Sequence, residues 1–514
     1  MTTTPLVLGP MLRYVDTVSA SIWVETRGTA SVGVDAGNRS WTARTFAVHG
    51  HHYALVHVDG LGPGTVTPYT VSIDGAQVWP PPDSVYPASV ITTLTPGAPL
   101  RLSFGSCRTS VPHDKKGTRT HGVDALRAYA LQMAEGDGIL SWPDLMLFLG
   151  DQVYADLTSE AMQEFIRDRR DIREPPGEEL ADFEEYAHLY NLAWSDTANR
   201  WLLATVPVAM IFDDHDVRDD WNASLSWKRR MEATSWWHGR IVAGLASYWV
   251  YQHLGNLSPG ERAHDEVWQA IQTHDGAEEL DLSSVLDGFA ERCDREPTTY
   301  RWSYCRDFGE DRLIVLDSRA ARELDPRRRA LVDEQETAWF DERMQSGFRH
   351  LVVATSLPFL LPPGVADIIT DVADGKRGAA PQTVTFLSGD VHYSYVSEVD
   401  RTSGSRIIQA VCSPIRNPLP ILLRSVSAVL SYGMSTRLSA LLSRSVGVPP
   451  PPFHWSGIIG PWFDNCLATV ADTPDGLRLS WASGVVDGGD PAHPTVTERA
   501  AITVAPRRDA TLGR

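Results

Sequence analysis

The chain has 514 residues, of which 43% are hydrophobic and 22% charged, so a sizeable core can form and global disorder is disfavoured. The length suggests two or three domains, or one large domain with appendages. Its formal net charge of −19 argues against a nucleic-acid binder, because phosphate backbones would be repelled. A phosphate-ester substrate is still compatible, since carboxylates gathered around cations reverse the local field.

Residues 1–98 are predicted to form an N-terminal β-sandwich domain that serves as a packing partner. Alternating apolar segments at Ser19–Thr26 and Tyr53–Val58, separated by Gly-containing turns, predict antiparallel strands. The stretch Leu61–Gly75, with Tyr69 near a corner, resembles the end of a fibronectin-III-like sandwich.

From about Leu100 the pattern changes to short continuous apolar runs, which predict strands buried on both faces. Helical segments such as Phe183–Ala204 and Trp227–His253 lie between the runs, so residues 99–514 are predicted to form an α/β catalytic domain. Four runs end directly in charged sequence, where open α/β sheets place their active sites. The runs are Leu102–Gly105, Leu145–Leu149, Val206–Phe212, Leu313–Leu316, His350–Thr355, Val384–Leu387 and Ile407–Val411.

An Arg-rich segment follows: Arg401–Phe463 contains six arginines and no acidic residue. Within it, Met434–Val446 places aliphatic side chains on one helical face, which predicts a helical insertion at about residues 414–452. It could be a cap over the core, a lid over an anionic substrate or a peripheral contact with an anionic membrane. A hairpin at Thr473–Gly476 is predicted to close the domain.

The five cysteines are scattered and form no CxxC pair, so neither a disulfide framework nor a structural zinc site is predicted. Cys293 and Cys305 could pair, but a reducing compartment is the simpler interpretation. The N-terminal sequence has no basic region, long apolar run or twin arginine, and no apolar stretch reaches 18 residues. We therefore expect a cytoplasmic monomer, with export left open.

The sequence FLGDQVYAD (Phe148–Asp156) places three chemically useful residues after a buried strand. Gly150 permits close backbone approach to a ligand, and Asp151 is suited to bridge two cations. Tyr154 offers a hard phenolate oxygen for a ferric ion. The alternative is an Asp-capped turn with a core tyrosine.

The sequence IFDDHDVRDDW (Ile211–Trp221) packs five aspartates and one histidine into eight residues. Such crowding is costly unless cations compensate it. Asp214 and Asp220 are candidate metal ligands, and His215 is a candidate catalytic residue. A solvated acidic helix start is the alternative.

Two more strand ends carry candidate residues. In FLSGDVHYS, Asp390 and His392 lie on one side of an extended segment, which suits ligation of one metal, although a core histidine is the alternative. In LSFGSCR, Cys107 could be an inert core thiol or a metal ligand, and Arg108 could grip phosphate through its bidentate fork. Weaker candidates are Asp317, Arg319, Asn417, His454, Asp464 and Asn465.

Together these motifs resemble the PhoD-like (alkaline phosphatase D) family of metallophosphatases. The resemblance implies a four-layer αββα metallophosphoesterase sandwich. It implies that Asp214 is a metal ligand or lies beside one, that His215 protonates the leaving alkoxide or stabilises the transition state, and that Cys107 ligates iron. It also implies one ferric ion with calcium, while zinc or manganese serves other members of the superfamily. The family pattern commonly has asparagines where this chain has Asp219 and Asp220, so the role of these two residues is open.

The sequence therefore predicts a metal-dependent phosphoesterase, of alkaline phosphatase or phosphodiesterase type, that hydrolyses small phosphate esters through a metal-bound hydroxide. One alternative is a monoesterase like the purple acid phosphatases, with iron–zinc or iron–manganese. Another is a degenerate scaffold that acts as a binding module. The sequence has no GxSxG, Walker A or Rossmann glycine motif, which argues against acyl hydrolases, NTPases and dehydrogenases.

Overall fold

The structure is a computed structural model that describes residues 4–136, 142–344, 347–358, 363–420, 453–486 and 489–507. The strands are β1 Leu6–Val15, β2 Ala20–Thr26, β3 Ser31–Ala36, β4 Arg39–Arg44, β5 Phe46–Val48, β6 His51–Val58, β7 Val66–Ile73, β8 Ala76–Trp79, β9 Val90–Thr92, β10 Arg101–Gly105, β11 Leu145–Leu149, β12 Val208–Ile211, β13 Leu280–Asp281, β14 Tyr304–Phe308, β15 Asp311–Leu316, β16 His350–Thr355, β17 Thr383–Ser388, β18 Ser394–Val399, β19 Arg406–Val411, β20 Trp455–Trp462, β21 Cys466–Thr473, β22 Gly476–Val485 and β23 Thr495–Val504. The α-helices are α1 Lys115–His121, α2 Ala125–Glu135, α3 Glu160–Arg169, α4 Phe183–Trp194, α5 Thr197–Thr205, α6 Leu225–Glu232, α7 Trp237–Tyr248, α8 Pro259–Arg262, α9 Glu266–Gln272, α10 Ser283–Arg295, α11 Glu334–Arg343 and α12 Pro363–Ala373.

The N-terminal region is built from two sheets, ordered β1-β2-β6-β5-β13 and β4-β3-β7-β8, with β9 paired to β7. Aliphatic residues of both sheets, such as Val24 and Val34, form one shared core. Strand β13 comes from residues 280–281 and pairs with β5, so this region is completed by a later part of the chain. Its fibronectin-III-like character and the boundary at residue 98 stay predictions.

Two buried polar side chains join the N-terminal region to the rest of the protein. The Arg13 guanidinium donates to the carbonyls of Val208 and Tyr251 at 3.1 and 2.7 Å. The Tyr69 hydroxyl donates to the carbonyl of Ala204, at 2.6 Å, on helix α5. These bonds satisfy groups that would otherwise be buried without partners, so they hold the two parts in a fixed relation.

Two larger sheets form the remainder, ordered β12-β11-β10-β21-β22-β23 and β14-β15-β16-β17-β19-β18-β20. Strands β10, β11 and β12 are parallel to one another, as are β15, β16, β17 and β19. Parallel neighbours bring their carboxyl ends to the same edge of a sheet. The predicted mixed α/β class is therefore confirmed.

Residues along β15 alternate between two cores, as the period of a strand requires. Leu313 and Val315 belong to a large core that also contains residues of the other large sheet. Ile314 and Leu316 pack instead with apolar residues of α11 and α12. Both faces of the strand are thus covered, which explains its continuous apolar sequence. The full four-layer αββα order stays a prediction.

Helix lengths differ from the sequence prediction at two places. The segment Phe183–Ala204 forms two helices, because Asp196 caps α5 by accepting from the backbone N–H groups of Ala198 and Asn199. The segment Trp227–His253 lies mostly in α6 and α7 and ends in a π-helical turn. Both segments are helical, as predicted, but each contains a break. The first break follows from the polar cap of α5, whereas α7 begins without a side-chain cap.

Other expectations have mixed outcomes. The hairpin at Thr473–Gly476 is confirmed, because β21 and β22 pair there. Of the helical insertion predicted at 414–452, residues 421–452 lie outside the described residues, and 414–420 contain no helix. All five cysteines are free thiols. In the part of the chain that the structure describes, no helix is long and apolar enough to cross a bilayer.

Candidate metal centre

The candidate site lies where strands of the two large sheets end. Cys107 follows β10, Asp151 follows β11, Asp214 follows β12, and Asp390 and His392 follow β17. Cys107, Asp151, Asp390 and His392 adopt left-handed φ angles of 58, 49, 64 and 57°. This conformation is costly for residues other than glycine and concentrates at functional sites.

Cys107, Asp151 and His392 form the first potential ligand group, with one ligand atom of each within 4.8 Å of the others. The thiol of Cys107 donates to Asp151 Oδ2 at 3.3 Å, and the Tyr154 hydroxyl lies 3.4 Å from the same oxygen. The Ser413 hydroxyl donates to Cys107 Sγ at 3.3 Å. The structure therefore brings the thiol, imidazole and phenol around one carboxylate.

Asp151 also belongs to a second potential ligand group, with Asp213, Asp214 and Asp390, again within 4.8 Å. One carboxylate shared by two groups is the arrangement expected of a residue that bridges two cations. Arg319 enters this group, since its Nε donates to Asp213 and its Nη2 lies 3.2 Å from Asp214 Oδ1.

The protonation tendencies of these groups fit a cation site. Burial, followed by the neighbouring carboxylates, raises the pKa of Asp390 well above its ordinary value, and burial also dominates the raised pKa of Asp151. Asp151 Oδ1 and Asp213 Oδ2 are buried and accept no hydrogen bond from the described residues. Bound cations would neutralise this charge and occupy these oxygens. The residues therefore fit metal ions.

The nitrogen and sulfur donors fit as well. Burial lowers the pKa of His392 to about 4, so its imidazole is neutral, as a ligand must be. Burial, and then the charge of Asp151, raises the pKa of the Cys107 thiol well above its ordinary value. A cation beside the sulfur would reverse this and hold the thiolate.

His215 lies beside the carboxylates with its ring held in place. Its Nδ1 is 2.8 Å from Asp156 Oδ1, and its Nε2 faces the exposed Asp219 at 3.9 Å. Burial opposes protonation, but the hydrogen bond to Asp156 and the charge of Asp151 outweigh it and raise the pKa of His215 to about 11. The imidazolium can therefore offer a proton from Nε2.

Arg108 requires a correction. Its side chain is 3% exposed, and its Nε and Nη2 donate to Asp124, the latter at 2.7 Å. Its Nη1 donates to the carbonyl of Ala193 at 2.6 Å. With these donors engaged inside the protein, Arg108 is not available to grip substrate phosphate; the guanidinium in the ligand group belongs to Arg319.

The acidic rim contains Asp220, which is exposed and whose backbone N–H donates to Asp214 Oδ2 at 2.9 Å. Asp214, Asp219 and Asp220 form a third close acidic group. Asp220 therefore lies at the edge of the centre, in contact with a candidate ligand. Asp317 accepts from the backbone N–H of Arg319 at 2.7 Å and so fixes the loop that carries this arginine.

The C-terminal candidates divide into one that reaches the site and three that do not. Asn417 lies close enough to Tyr154 and His392 to affect the pKa of both side chains. His454 is exposed, and Asp464 pairs with Arg499 on the surface. Asn465 donates to the carbonyls of His121 and Val123, both at 2.7 Å, where it supports the chain before α2.

The sequence did not single out Asp213, Asp156 or Asp216. Asp216 Oδ2 accepts from the backbone N–H groups of Asp151 and Asp213 at 2.8 and 2.9 Å, so it ties two strand ends together. A Cβ on Gly150 would lie 2.4 Å from Asp213 Cβ, so this glycine admits the carboxylate. The repeated Asp residues were the available signal, but spacing could not separate ligands from supports.

Comparisons with known proteins fit this geometry. The family described as PhoD-like phosphatase matches residues 123–420, and a domain of unknown function, DUF7800, matches residues 3–91. A solved structure of PhoD has a TM-score of 0.64 at 16% identity, covering 98% of this chain and 91% of that chain. Purple acid phosphatase PPD1 from yellow lupin (Lupinus luteus) seeds has a TM-score of 0.50 at 12% identity, covering 98% and 75%. No curated protein matches the sequence significantly. At these identities the two structures bear on the fold alone.

Proposed function

The chain belongs to the PhoD-like phosphatase family, and on this premise we propose that it hydrolyses phosphate esters at the centre formed by the strand ends. The observation that carries the proposal is that Asp151 belongs to three ligand groups. One contains a thiol and an imidazole, one contains carboxylates only, and one contains Asp214 and the imidazole of His215. The first two groups share the carboxylate of Asp151, and their different donor atoms suit a pair of cations of different hardness.

The first group would hold a ferric ion through Cys107, Tyr154, Asp151 and His392, because thiolate, phenolate and imidazole favour iron. Asp214 and Asp390, with Asp213, would hold calcium through carboxylate oxygens. When bound, such cations lower the pKa of a coordinated water and neutralise phosphate oxygens.

The protein's own residues supply orientation and a proton. Asp156 fixes the His215 ring at 2.8 Å, and His215 Nε2 can protonate the departing alkoxide. Arg319 holds Asp213 and lies beside Asp214, so it keeps these carboxylates in register. The Cys107 ligand favours this centre over a purple-acid-phosphatase-like one, which is the second candidate.

The test measures metal content, visible absorption and turnover of p-nitrophenyl phosphate and bis(p-nitrophenyl) phosphate by full-length protein. We expect a coloured, iron-containing enzyme. Asp151→Asn should lower both metal content and turnover, the latter by more than about 100-fold, since loss of even an outer partner costs 10- to 100-fold. Tyr154→Phe should remove the colour, whereas Asp83→Asn, at an exposed position, should change nothing.

Other outcomes separate the alternatives. A colourless active protein with zinc or manganese would keep the phosphoesterase and reject the ferric centre. An iron–zinc or iron–manganese protein that cleaves only the monoester would favour the second candidate. A folded protein without metal, inactive after metal addition, would refute the proposal in favour of a binding scaffold.

A further inference from the structure

A second group of metal-ligating side chains lies at the opposite end of the two large sheets. Asp311 and His350 begin the neighbouring parallel strands β15 and β16 and face each other in register. Asp472 lies near the end of β21 in the other sheet. Their exposures are 3, 1 and 8%. Since β15 has six residues, roughly 20 Å separates this group from the strand-end centre.

Each of the three side chains has one polar atom engaged by the protein. His350 Nδ1 lies 2.8 Å from Thr383 Oγ1. Asp472 Oδ2 lies 3.0 Å from Arg349 Nη1. Asp311 Oδ2 accepts a hydrogen bond from the backbone N–H of Leu100, the residue before β10, at 3.4 Å. Such outer partners orient metal ligands and fix the tautomer of a ligating imidazole.

The other polar atom of each side chain has no hydrogen-bond partner among the described residues. These buried atoms are His350 Nε2, Asp311 Oδ1 and Asp472 Oδ1, and one ligand atom from each residue lies within 4.8 Å of the others. His350 Nε2 and Asp472 Oδ1 are 3.3 Å apart. Metal–ligand bonds of about 2.0–2.1 Å in a tetrahedron place neighbouring ligands about 3.3–3.4 Å apart.

The charges also favour a cation over a simple ion pair. Two carboxylates lie near one partly exposed guanidinium, that of Arg349, whose Nη1 is 3.0 Å from Asp472 Oδ2. Burial, and then the charge of Asp472, raises the pKa of Asp311 to about 6. Burial lowers the pKa of His350 despite the nearby carboxylate, so its imidazole is predominantly neutral. A neutral imidazole beside two carboxylates leaves negative charge that a divalent ion would offset.

A cavity lies beside the two aspartates of this group. It has a volume of about 170 Å³ and is lined by Asp311, Asp472 and Arg349, together with Gly97 and Thr473, while His350 lies outside its lining. The cavity is large enough for a water. An entry path is one condition for a metal site, and this cavity provides one as far as the two carboxylates.

We propose that Asp311, His350 and Asp472 bind a divalent transition-metal ion of the zinc class, separate from the strand-end centre. Its ligands come from both large sheets, so the ion ties the sheets together at the end remote from the catalytic centre. Asp311 also holds the backbone before β10, which extends the tie to the segment leading out of the N-terminal region. Because the unfolded chain does not hold these three ligands together, the bound ion would stabilise the folded state.

The experiment titrates Zn²⁺ into chelated full-length protein, with bound zinc counted by elemental analysis and the melting temperature recorded. We expect one zinc per chain that survives Asp151→Asn but is lost in His350→Gln. In His350→Gln, the affinity of the protein for this zinc should fall by more than about 10- to 100-fold. That range applies to loss of a residue that only hydrogen-bonds a metal ligand. Asp311→Asn should act alike while keeping its backbone bond, and Asp307→Asn, exposed on β14, is the control.

The readouts distinguish this proposal from the catalytic one. Phosphatase activity with catalytic metals supplied should persist in folded His350→Gln, while the zinc-dependent rise in melting temperature disappears. Equal zinc content and an equal melting response in wild type, His350→Gln and Asp311→Asn would overturn the proposal and leave a His350–Asp472 ion pair. Circular dichroism shows which variants fold. If His350→Gln does not fold, the zinc content and melting response of Asp311→Asn provide the test of the proposal.

Discussion

Replacing Arg108 tests whether this residue supports the fold or binds substrate. Arg108 Nη2 lies 2.7 Å from Asp124 Oδ2, and the two residues are 3 and 2% exposed. In Arg108→Met, Asp124 would be left buried without its partner. Breaking a buried ion pair from one side costs about 3–5 kcal/mol of unfolding free energy. Because the guanidinium is engaged within the protein, we expect little change in KM for a phosphate ester.

Urea denaturation of metal-loaded protein, followed by circular dichroism, measures the cost. Asp124→Asn is the matched variant, since asparagine still caps α2. In the double variant no unpaired buried charge remains, so its loss should be at least about 1–3 kcal/mol smaller than the sum of the single losses. A tenfold rise in KM with an unchanged unfolding free energy would refute this reasoning and return Arg108 to substrate binding.

The same pair predicts a pH dependence. Burial opposes ionisation of Asp124, but the charge of Arg108 outweighs it and holds the Asp124 pKa below its ordinary value of 3.8. A depressed carboxyl pKa stabilises the folded state above the unfolded pKa, and this stabilisation is lost as the pH falls through the folded pKa. The stability difference between wild type and Asp124→Asn should therefore be constant near neutrality and shrink below about pH 4.

Three further predictions concern single positions. Gly150→Ala should lower the unfolding free energy more than Gly75→Ala does, and it should also reduce the metal content. Both glycines have a positive φ, but only at Gly150 would the added Cβ clash with Asp213. Equal losses of stability and of bound metal in the two variants would contradict this prediction. In chelated protein, Asp311→Asn should raise the unfolding free energy by about 1–2 kcal/mol at pH 8 and have no effect near pH 4. The reason is that the raised pKa of the Asp311 carboxyl makes its charged form, which prevails above about pH 6, unfavourable in the folded state. The same pH profile in wild type and variant would contradict this prediction. Tyr69→Phe should destabilise by about 1–2 kcal/mol in urea denaturation, because it leaves a carbonyl of α5 without its donor, and no loss would show that water replaces the hydroxyl.

Sequence predicted the parts of the site that depend on local pattern. A buried strand followed at once by charged residues marks the end of a strand, and Asp151, Asp214 and Asp390 were found in this way. The sequence could not predict which side chains, distant along the chain, contact each other in the folded protein. Arg108 is neutralised by Asp124 at the start of another element, while Arg319 reaches Asp213 from the other sheet. Both are arginines near a strand end, and only tertiary contacts distinguish their roles.

The same limit explains why the break between α4 and α5 was not predicted. The apolar pattern continues across Ser195 and Asp196, but the Asp196 side chain accepts two backbone N–H groups and so starts a new helix. A single short side chain such as that of Asp196 can therefore end one helix and begin the next, while the spacing of the apolar residues in the sequence hardly changes.

Strand β10, which ends at the predicted iron ligand Cys107, has β11 on one side and β21 on the other. Its second neighbour begins at residue 466, more than 350 positions later. While the chain is being synthesised, one edge of β10 therefore stays open, and the thiol beside it has no completed centre to protect it. If Cys107 binds a metal as proposed, the binding site is completed only after β21 has joined the sheet. A chain that stops before β21 would leave this thiol without its completed surroundings and open to oxidation.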